Sequence, residues 1–315
     1  MHNNYFCGLS LKMTPITKAY LQIHMAVILF GFTAILGDLI TMSALNLVWW
    51  RVMITSFSLV FLLKRDALSE VFKSRIYIPL AGIGVLVGLH WICFYGAVKL
   101  SNASVTLVCM ATTSTFTAIV EPLMLKTRFK WVELLLGLFL LPCILLIINQ
   151  IPSGHYMGVL SGLAAALLAS VFAVLNKKYI RSADPFTLTF VELGSAFLFI
   201  SAVLIFLIPV GYFDASKIWP EDLSQWFYIV LLSLGCTTLA YILSMKALKH
   251  ISAYASNMVI NLEPVYGILL AIIILKEHKQ LNNSFYAGAF MIGLIVFTYP
   301  FIISKMKQKY NGKNV

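Results

Sequence analysis

Long apolar runs separated by short polar links set the pattern of this chain. Ten runs fall at 19–37, 44–63, 76–98, 101–125, 131–149, 156–175, 186–209, 226–247, 251–275 and 284–304. Each approaches the 20 or so mostly apolar residues that a helix needs to cross a bilayer. The pattern therefore predicts an all-α membrane protein of ten transmembrane helices. The links are short, and the longest, residues 210–225, is too small to fold as a soluble catalytic or receptor module. Residues 1–18 hold neither a long apolar stretch nor a small-residue cleavage site, so no removable leader is expected.

Composition agrees with this reading. Of 315 residues, 60% are hydrophobic and 11% charged, and the mean hydropathy is +0.90. Soluble domains carry about a quarter charged residues. The net charge of +11 raises nucleic acid as a partner, but the basic residues do not form one soluble face. Counted from the N-terminus, alternate links hold eighteen Lys and Arg, the remaining links hold four (Lys99, Lys217, Lys276 and Lys279), and Arg51 lies inside a run. This is the positive-inside distribution, and it places both termini in the cytoplasm. Anionic lipid, not nucleic acid, is the partner that such charge implies. Trp131 and Trp226 open their runs where interfacial anchors belong. The five cysteines, at 7, 93, 109, 143 and 236, show no metal-ligand spacing and read as inert thiols.

Sliding the chain by 150 residues lays 97–128 on 247–278 without a gap. Ala97, Lys99, Ala103, Leu125 and Lys126 meet Ala247, Lys249, Ala253, Leu275 and Lys276. Both segments start at a short basic link between runs. Two units of five helices follow, 19–149 and 156–304, and an odd helix number turns the second unit upside down in the membrane. Inverted repeats of this kind place a substrate site near the midplane.

Three stretches carry a family likeness. "FYGAVKLSNASVTLVCMATTSTFTAIVEPLMLK" and "KALKHISAYASNMVINLEPVYGILLAIIILKEH" resemble the paired signatures of the EamA-type drug/metabolite transporters, and "LVWWRVMITSFSLVFLL" resembles the family's Arg-bearing second helix. The resemblance spans essentially the whole chain. It implies ten helices in two five-helix repeats and secondary transport of a small metabolite, often export of an amino acid or related solute. It also implies that helices 1–4 and 6–9 surround the cavity. The first half departs from the pattern at Ser114, where the family commonly has a proline, and at "LKTRFK", where it commonly has an acid. Pro264 and Glu277 keep the pattern in the second half.

Polar residues deep in apolar runs are the candidate site. At 1.5 Å per residue, Arg51 lies about 10 Å, His90 about 12 Å and Glu263 about 18 Å from the outer end of its run. Ionisable groups at such depth mark function by default. Glu263 is the candidate proton- or cation-coupling carboxylate, His90 a second titrating group and Arg51 an anion anchor. The competing reading makes Arg51 and Glu263 members of a structural polar network. Pro264 removes a helix hydrogen bond and is the candidate hinge. Thr113 corresponds to Glu263 across the repeat and belongs to a hydroxyl cluster, Thr112 to Thr117, that can line a cavity or merely pack. Asn261, with Asn257, is placed to meet the carbonyl of Ile260 that Pro264 frees. Trp91 and Tyr266, with Tyr95 and Tyr241, are candidate cavity walls. Glu192 falls in the inner half, and Glu121 and Glu133 fall at the cytoplasmic interface, where water or basic links should meet them. The glycine pairs Gly84/Gly88 and Gly158/Gly162 read as helix-packing motifs.

No ATP-binding loop is present, so an ion gradient, exchange or the solute's own gradient must supply the energy. The expected partners are a small solute, the lipid bilayer and protons, with no nucleic acid and no cofactor. Two alternatives stand beside this reading. An antiporter of phosphorylated or nucleotide-linked metabolites would need several cavity Lys or Arg, and a membrane-embedded lipid-modifying enzyme would need an acid/His or metal cluster near an interface.

Overall fold

The structure is a computed structural model, and it describes residues 13–148, 156–207, 218–274 and, with gaps, 283–302. Among them every regular element is helical. The order is α1 (Pro15–Leu39), α2 (Ala44–Val60), α3 (Arg65–Lys73), α4 (Tyr77–Leu100), α5 (Ala103–Met110), α6 (Thr113–Leu125), α7 (Trp131–Ile148), α8 (Tyr156–Tyr179), α9 (Pro185–Leu207), α10 (Leu223–Ser233), a π-helical turn (Leu234–Leu239), α11 (Ala240–Leu248), α12 (Ala253–Ile260) and α13 (Glu263–Ile274). Six described spans are long and apolar enough to cross a membrane, or seven when α2 and α3 are counted as one bent pair. The runs at 131–149 and 284–304 are described only in part.

The helix starts follow from local chemistry. Pro15 occupies the first turn of α1, where its missing N–H costs nothing, and the Thr14 hydroxyl accepts from Thr17 N. Ser43 caps α2, Asn102 caps α5, Asp222 caps α10 and Ser252 caps α12, each accepting from the backbone N–H three residues on. Where the sequence predicts one helix over 44–63, the structure ends α2 at Val60 and bends the chain by 114° into α3. The nine residues of α3, RDALSEVFK, are mostly polar on one side, whereas α2 is apolar almost throughout. That contrast suits α3 to an interface.

Two further runs are broken, 101–125, where no proline stands at the break, and 251–275, beside the expected hinge at Pro264. Between α5 and α6, Ala111 N donates to Leu107 O at 3.2 Å and Thr112 N to Cys109 O at 3.0 Å. In the same register 150 residues on, Asn261 N donates to Asn257 O at 3.1 Å and Leu262 N to Val259 O at 3.0 Å, separating α12 from α13. The helices restart alike, through Phe116 N to Thr112 O at 3.1 Å and Tyr266 N to Leu262 O at 3.0 Å. In each break one donor reaches only three residues back, which tightens the turn and stops the α-helix.

The glycine pairs seat α4 and α8. A Cβ on Gly84 would lie 2.1 Å from the carbonyl oxygen of Glu192, so α4 crosses α9 closely enough to admit only glycine. Gly158 and Gly162 make room for Ser101 and Cys109 in the same way. Lysines tie off helix ends: Lys99 Nζ donates to Gly37 O (2.8 Å) and Ile40 O (2.5 Å), and Lys177 Nζ donates to Leu248 O (2.7 Å) and Ile251 O (2.5 Å). Each ammonium meets carbonyls left without helical donors, at the negative end of a helix dipole. Cys93, Cys109 and Cys236 are free thiols. Cys7 lies outside the described residues.

Candidate functional site

Arg51 is buried and held by three partners. It extends from the middle of α2 and is 2% exposed. Its Nε donates to Thr237 Oγ1 at 2.6 Å and its Nη1 to Tyr95 Oη at 2.7 Å, and the guanidinium lies 4.0 Å from the centre of the Trp91 ring. A ring face attracts a cation, and more so where water is excluded. The π-helical turn explains why Thr237 is there. Its extra residue per turn lets Thr237 and Thr238 bond carbonyls five residues back, at Leu232 (2.8 Å) and Ser233 (3.0 Å). No sequence signal marked that turn.

A cavity of about 100 Å³ opens beside the guanidinium, with room for several waters or a small solute. Arg51, His90, Trp91, Thr113 and Glu263 all line it. Glu263 is the first residue of α13 and is 5% exposed. Among the described residues, no carboxylate lies within ion-pairing distance of Arg51. The guanidinium and the Glu263 carboxylate thus face one cavity without closing on each other. His90 is oriented from behind: its Nδ1 lies 2.8 Å from Ala165 O, which can only accept, so Nδ1 carries the proton in that bond. The Phe172 ring meets the imidazole edge-on at 5.3 Å.

The cavity is lopsided. It runs past Asn176 and Tyr241 to Leu248 and Ser256, at the end of the bundle where the basic links lie. At the opposite end the described side chains bond to one another across helices. Trp50 packs on Trp226 (4.7 Å) and Trp219 (5.3 Å) and donates to Ile218 O at 2.6 Å. Gln225 accepts from Thr41 N at 2.9 Å and donates to Leu39 O at 3.2 Å.

Two expected wall residues are elsewhere. Tyr266 does not line the cavity; it packs on α1, where a Cβ at Gly31 would lie 3.2 Å from its own Cβ. Tyr95 supports Arg51 from below the wall. Asn261 also lies outside the lining, and neither it nor Asn257 reaches Ile260 O. Asn257 Nδ2 donates to Thr117 Oγ1 at 2.8 Å. The Asn261 amide satisfies both its ends when its oxygen accepts from Ser114 Oγ at 2.7 Å and its nitrogen donates to the carbonyls of Asn257 and Ala111, each at 3.2 Å. These bonds join one broken helix to the other. The Thr113 hydroxyl turns back on Met110 O at 2.6 Å. Pro264 stands in the first turn of α13, directly after the break.

Two acids have surroundings that the sequence does not reveal. Glu121, expected to meet water, is 9% exposed and accepts from Ala253 N (3.3 Å) and Tyr254 N (2.7 Å), which makes it the anion at the N-terminus of α12. Glu192 is fully buried and accepts from Tyr241 Oη at 2.6 Å. Its place in an apolar run was visible, but nothing in the sequence linked it to Tyr241. Glu133 pairs with Lys130 at 2.9 Å, as an interfacial acid should. No cluster of three or more His, Cys, Asp or Glu suited to a metal occurs among the described residues.

Comparison with known proteins fits this geometry. A Clostridium kluyveri protein described as an uncharacterized transporter is 26% identical over 230 residues, covering 70% of this chain and 71% of that protein. A solved crystal structure superposes with a TM-score of 0.69 at 16% identity, over 91% of this chain and 98% of the other, which is a likeness of fold. The profile of the EamA-like transporter family matches residues 17–149 and again 156–299, so each half of the chain matches it separately. With both matches together covering most of its length, this chain belongs to the EamA-like transporter family.

Proposed function

We propose that the protein is an inner-membrane secondary transporter that exports a small zwitterionic metabolite, such as an amino acid or related solute, by alternating access coupled to protons. The observation that carries this reading is that Arg51 and Glu263 line one cavity without pairing. A guanidinium with donors to spare suits a carboxylate. A carboxylate in the same cavity suits an ammonium group or a proton. A solute bearing both charges satisfies both groups, and in its absence a proton can neutralise Glu263. Desolvated charges without such partners are costly, so this arrangement favours occupancy by ligands that bring the missing charge.

Ten spans in two inverted five-helix units, 19–149 and 156–304, give the scaffold for alternation. The matched breaks at 111–112 and 261–262 support that scaffold, and they supply the flexible joints at the cavity. On the charge asymmetry, both termini and the basic links are cytoplasmic, so the cavity described above reaches toward the cytoplasm while the Trp50 cluster closes the outer side. Moving Glu263 between the neighbourhood of Arg51 and other surroundings would change its affinity for a proton, which is what coupling requires. Arg51 is the lone Lys or Arg among the described cavity residues, which gives no support to a phosphorylated or nucleotide-linked solute.

Two experiments test this. Untargeted comparison of metabolites in medium and cells, with and without the protein, should show one amino-acid-like solute or a small set raised outside; unchanged medium contradicts export. For orientation, a membrane-impermeant thiol reagent applied outside should label a cysteine placed at Ser153 and spare one placed at Ser182. The reverse pattern overturns the topology.

A further inference from the structure

Glu192 lies behind the cavity wall, and its surroundings are incomplete in a specific way. A chain of donors points at it: Asn176 Nδ2 donates to Tyr241 Oη at 3.1 Å, and Tyr241 Oη donates to Glu192 Oε2 at 2.6 Å. The Asn176 amide also lies close to the carboxylate, but the second oxygen, Oε1, is buried with no donor in hydrogen-bonding geometry, and the Asn176 side-chain oxygen is likewise without one. Two acceptors without donors sit in one cluster formed by α8, α9 and α11. All three side chains are buried, at 0%, 3% and 6% exposure for Glu192, Asn176 and Tyr241.

An unpaired ionised carboxylate inside a protein is expensive, and an acceptor without a donor adds to the cost. Among the described residues no salt bridge reaches Glu192. On α2, Arg51 turns to the cavity with two of its donors on Thr237 and Tyr95; on α4, His90 donates to Ala165 O; on α11, Tyr241 supplies one donor and Lys246 lies over the Phe186 ring at 5.1 Å. On α8, Lys177 is spent on Leu248 O and Ile251 O. What the site lacks is one positive charge that is also a donor. A proton on Oε1 is both. A metal ion is disfavoured, because Glu192 is the sole acid of the cluster and an oxygen-ligated cation takes several ligands.

We infer that Glu192 is a second proton-binding site, loaded from the cavity through Tyr241, which Asn176 holds in place. Those two residues line the cavity and Glu192 does not, so the tyrosine hydroxyl stands between the carboxylate and cavity water. In loading, Tyr241 Oη takes a proton from a hydronium ion in the cavity as its own proton passes to Glu192 Oε2; water remains behind, a half-turn of the carboxyl group carries the new O–H to the Oε1 position and restores the tyrosine bond to the other oxygen, and no electrons are transferred. The site lies behind the half of the cavity that reaches the basic end, apart from Glu263. Its use in transport rests on the proton-coupled reading above, but its existence does not.

The test is infrared difference spectroscopy of the reconstituted full-length protein, wild type against Glu192→Gln, near neutral pH in potassium buffer. The expected result is loss in the variant of one neutral carboxylic acid C=O band, a band that shifts downward in wild type on exchange into D2O. Loss of an ionised carboxylate band in its place overturns the proposal, and an ionised band that moves when sodium replaces potassium makes the cluster a cation site. If Glu192→Gln does not fold, Tyr241→Phe serves: removing the donor to Oε2 should shift the neutral band upward, and an unshifted acid band places the proton elsewhere. A persistent Glu192 acid band in a protein whose flux ignores pH would leave the proton site standing and refute proton-coupled transport.

Discussion

The break between α5 and α6 and the break between α12 and α13 share a register of 150 residues and a hydrogen-bond pattern, yet they are built from different chemistry. The second has Glu263 and Pro264 at its restart. The first has Thr113 and Ser114, and no proline. There the hydroxyls take over: Thr112 Oγ1 bonds Cys109 O at 2.7 Å and Thr113 Oγ1 bonds Met110 O at 2.6 Å, so the side chains engage carbonyls at the break. The proline is thus one of two ways to interrupt a helix at this depth. What differs between the halves is charge. The first half contributes the cation, on α2, and the second the carboxylate, on α13, so one cavity receives opposite charges from the two halves of the chain.

Three substitutions sharpen or break this comparison. The largest effect is expected from Asn261→Leu, which removes the amide that joins the two breaks and leaves Ser114 Oγ and Ala111 O short of a partner. A loss of about 2 kcal/mol is expected, read from thermal unfolding in detergent. A loss near zero would mean that the breaks stand independently. Thr113→Leu follows. It puts bulk into the cavity at the position matching Glu263 and should lower transport roughly tenfold, or about 1.4 kcal/mol of site fit, with membrane insertion unchanged. Unaltered transport would reduce the hydroxyl cluster to packing. Pro264→Ala should matter least, within roughly 1 kcal/mol of stability, because the first half breaks without a proline. A large defect would show that the two breaks are held by different causes.

The sequence made the spans legible because crossing a bilayer requires length and apolarity, and both can be counted. Arg51, His90, Trp91, Thr113 and Glu263 were legible as cavity residues for a related reason, since polar groups at mid-depth must face protein or water. The details that need a partner were not. In helices that are apolar on nearly every side, no stripe of polarity says which way a residue faces, so Tyr266 was assigned to the cavity when it packs against Gly31. The π-helical turn that presents Thr237 to Arg51 has no proline to announce it. The 114° bend after Val60 also lacks one, and only the polar composition of α3 hints at it. Glu121 sits near a run end, where exposure is the reasonable expectation, and only the fold brings the N-terminus of α12 to it. Glu192 needed Tyr241, 49 residues away in sequence, before its place meant anything.

The central claim is that Glu263 couples a proton gradient to solute movement, and Glu263→Gln tests it most directly. The amide keeps the shape of the carboxyl group and holds it in the neutral state. The measurement is solute flux in proteoliposomes with an imposed pH gradient, wild type beside variant, using the solute that the metabolite comparison identifies. The account predicts that the variant folds, exchanges solute across the membrane at equilibrium and fails to accumulate it when the gradient is applied. A variant that accumulates solute in response to the gradient as the wild type does would contradict the claim and leave Glu263 and Arg51 as parts of a structural network.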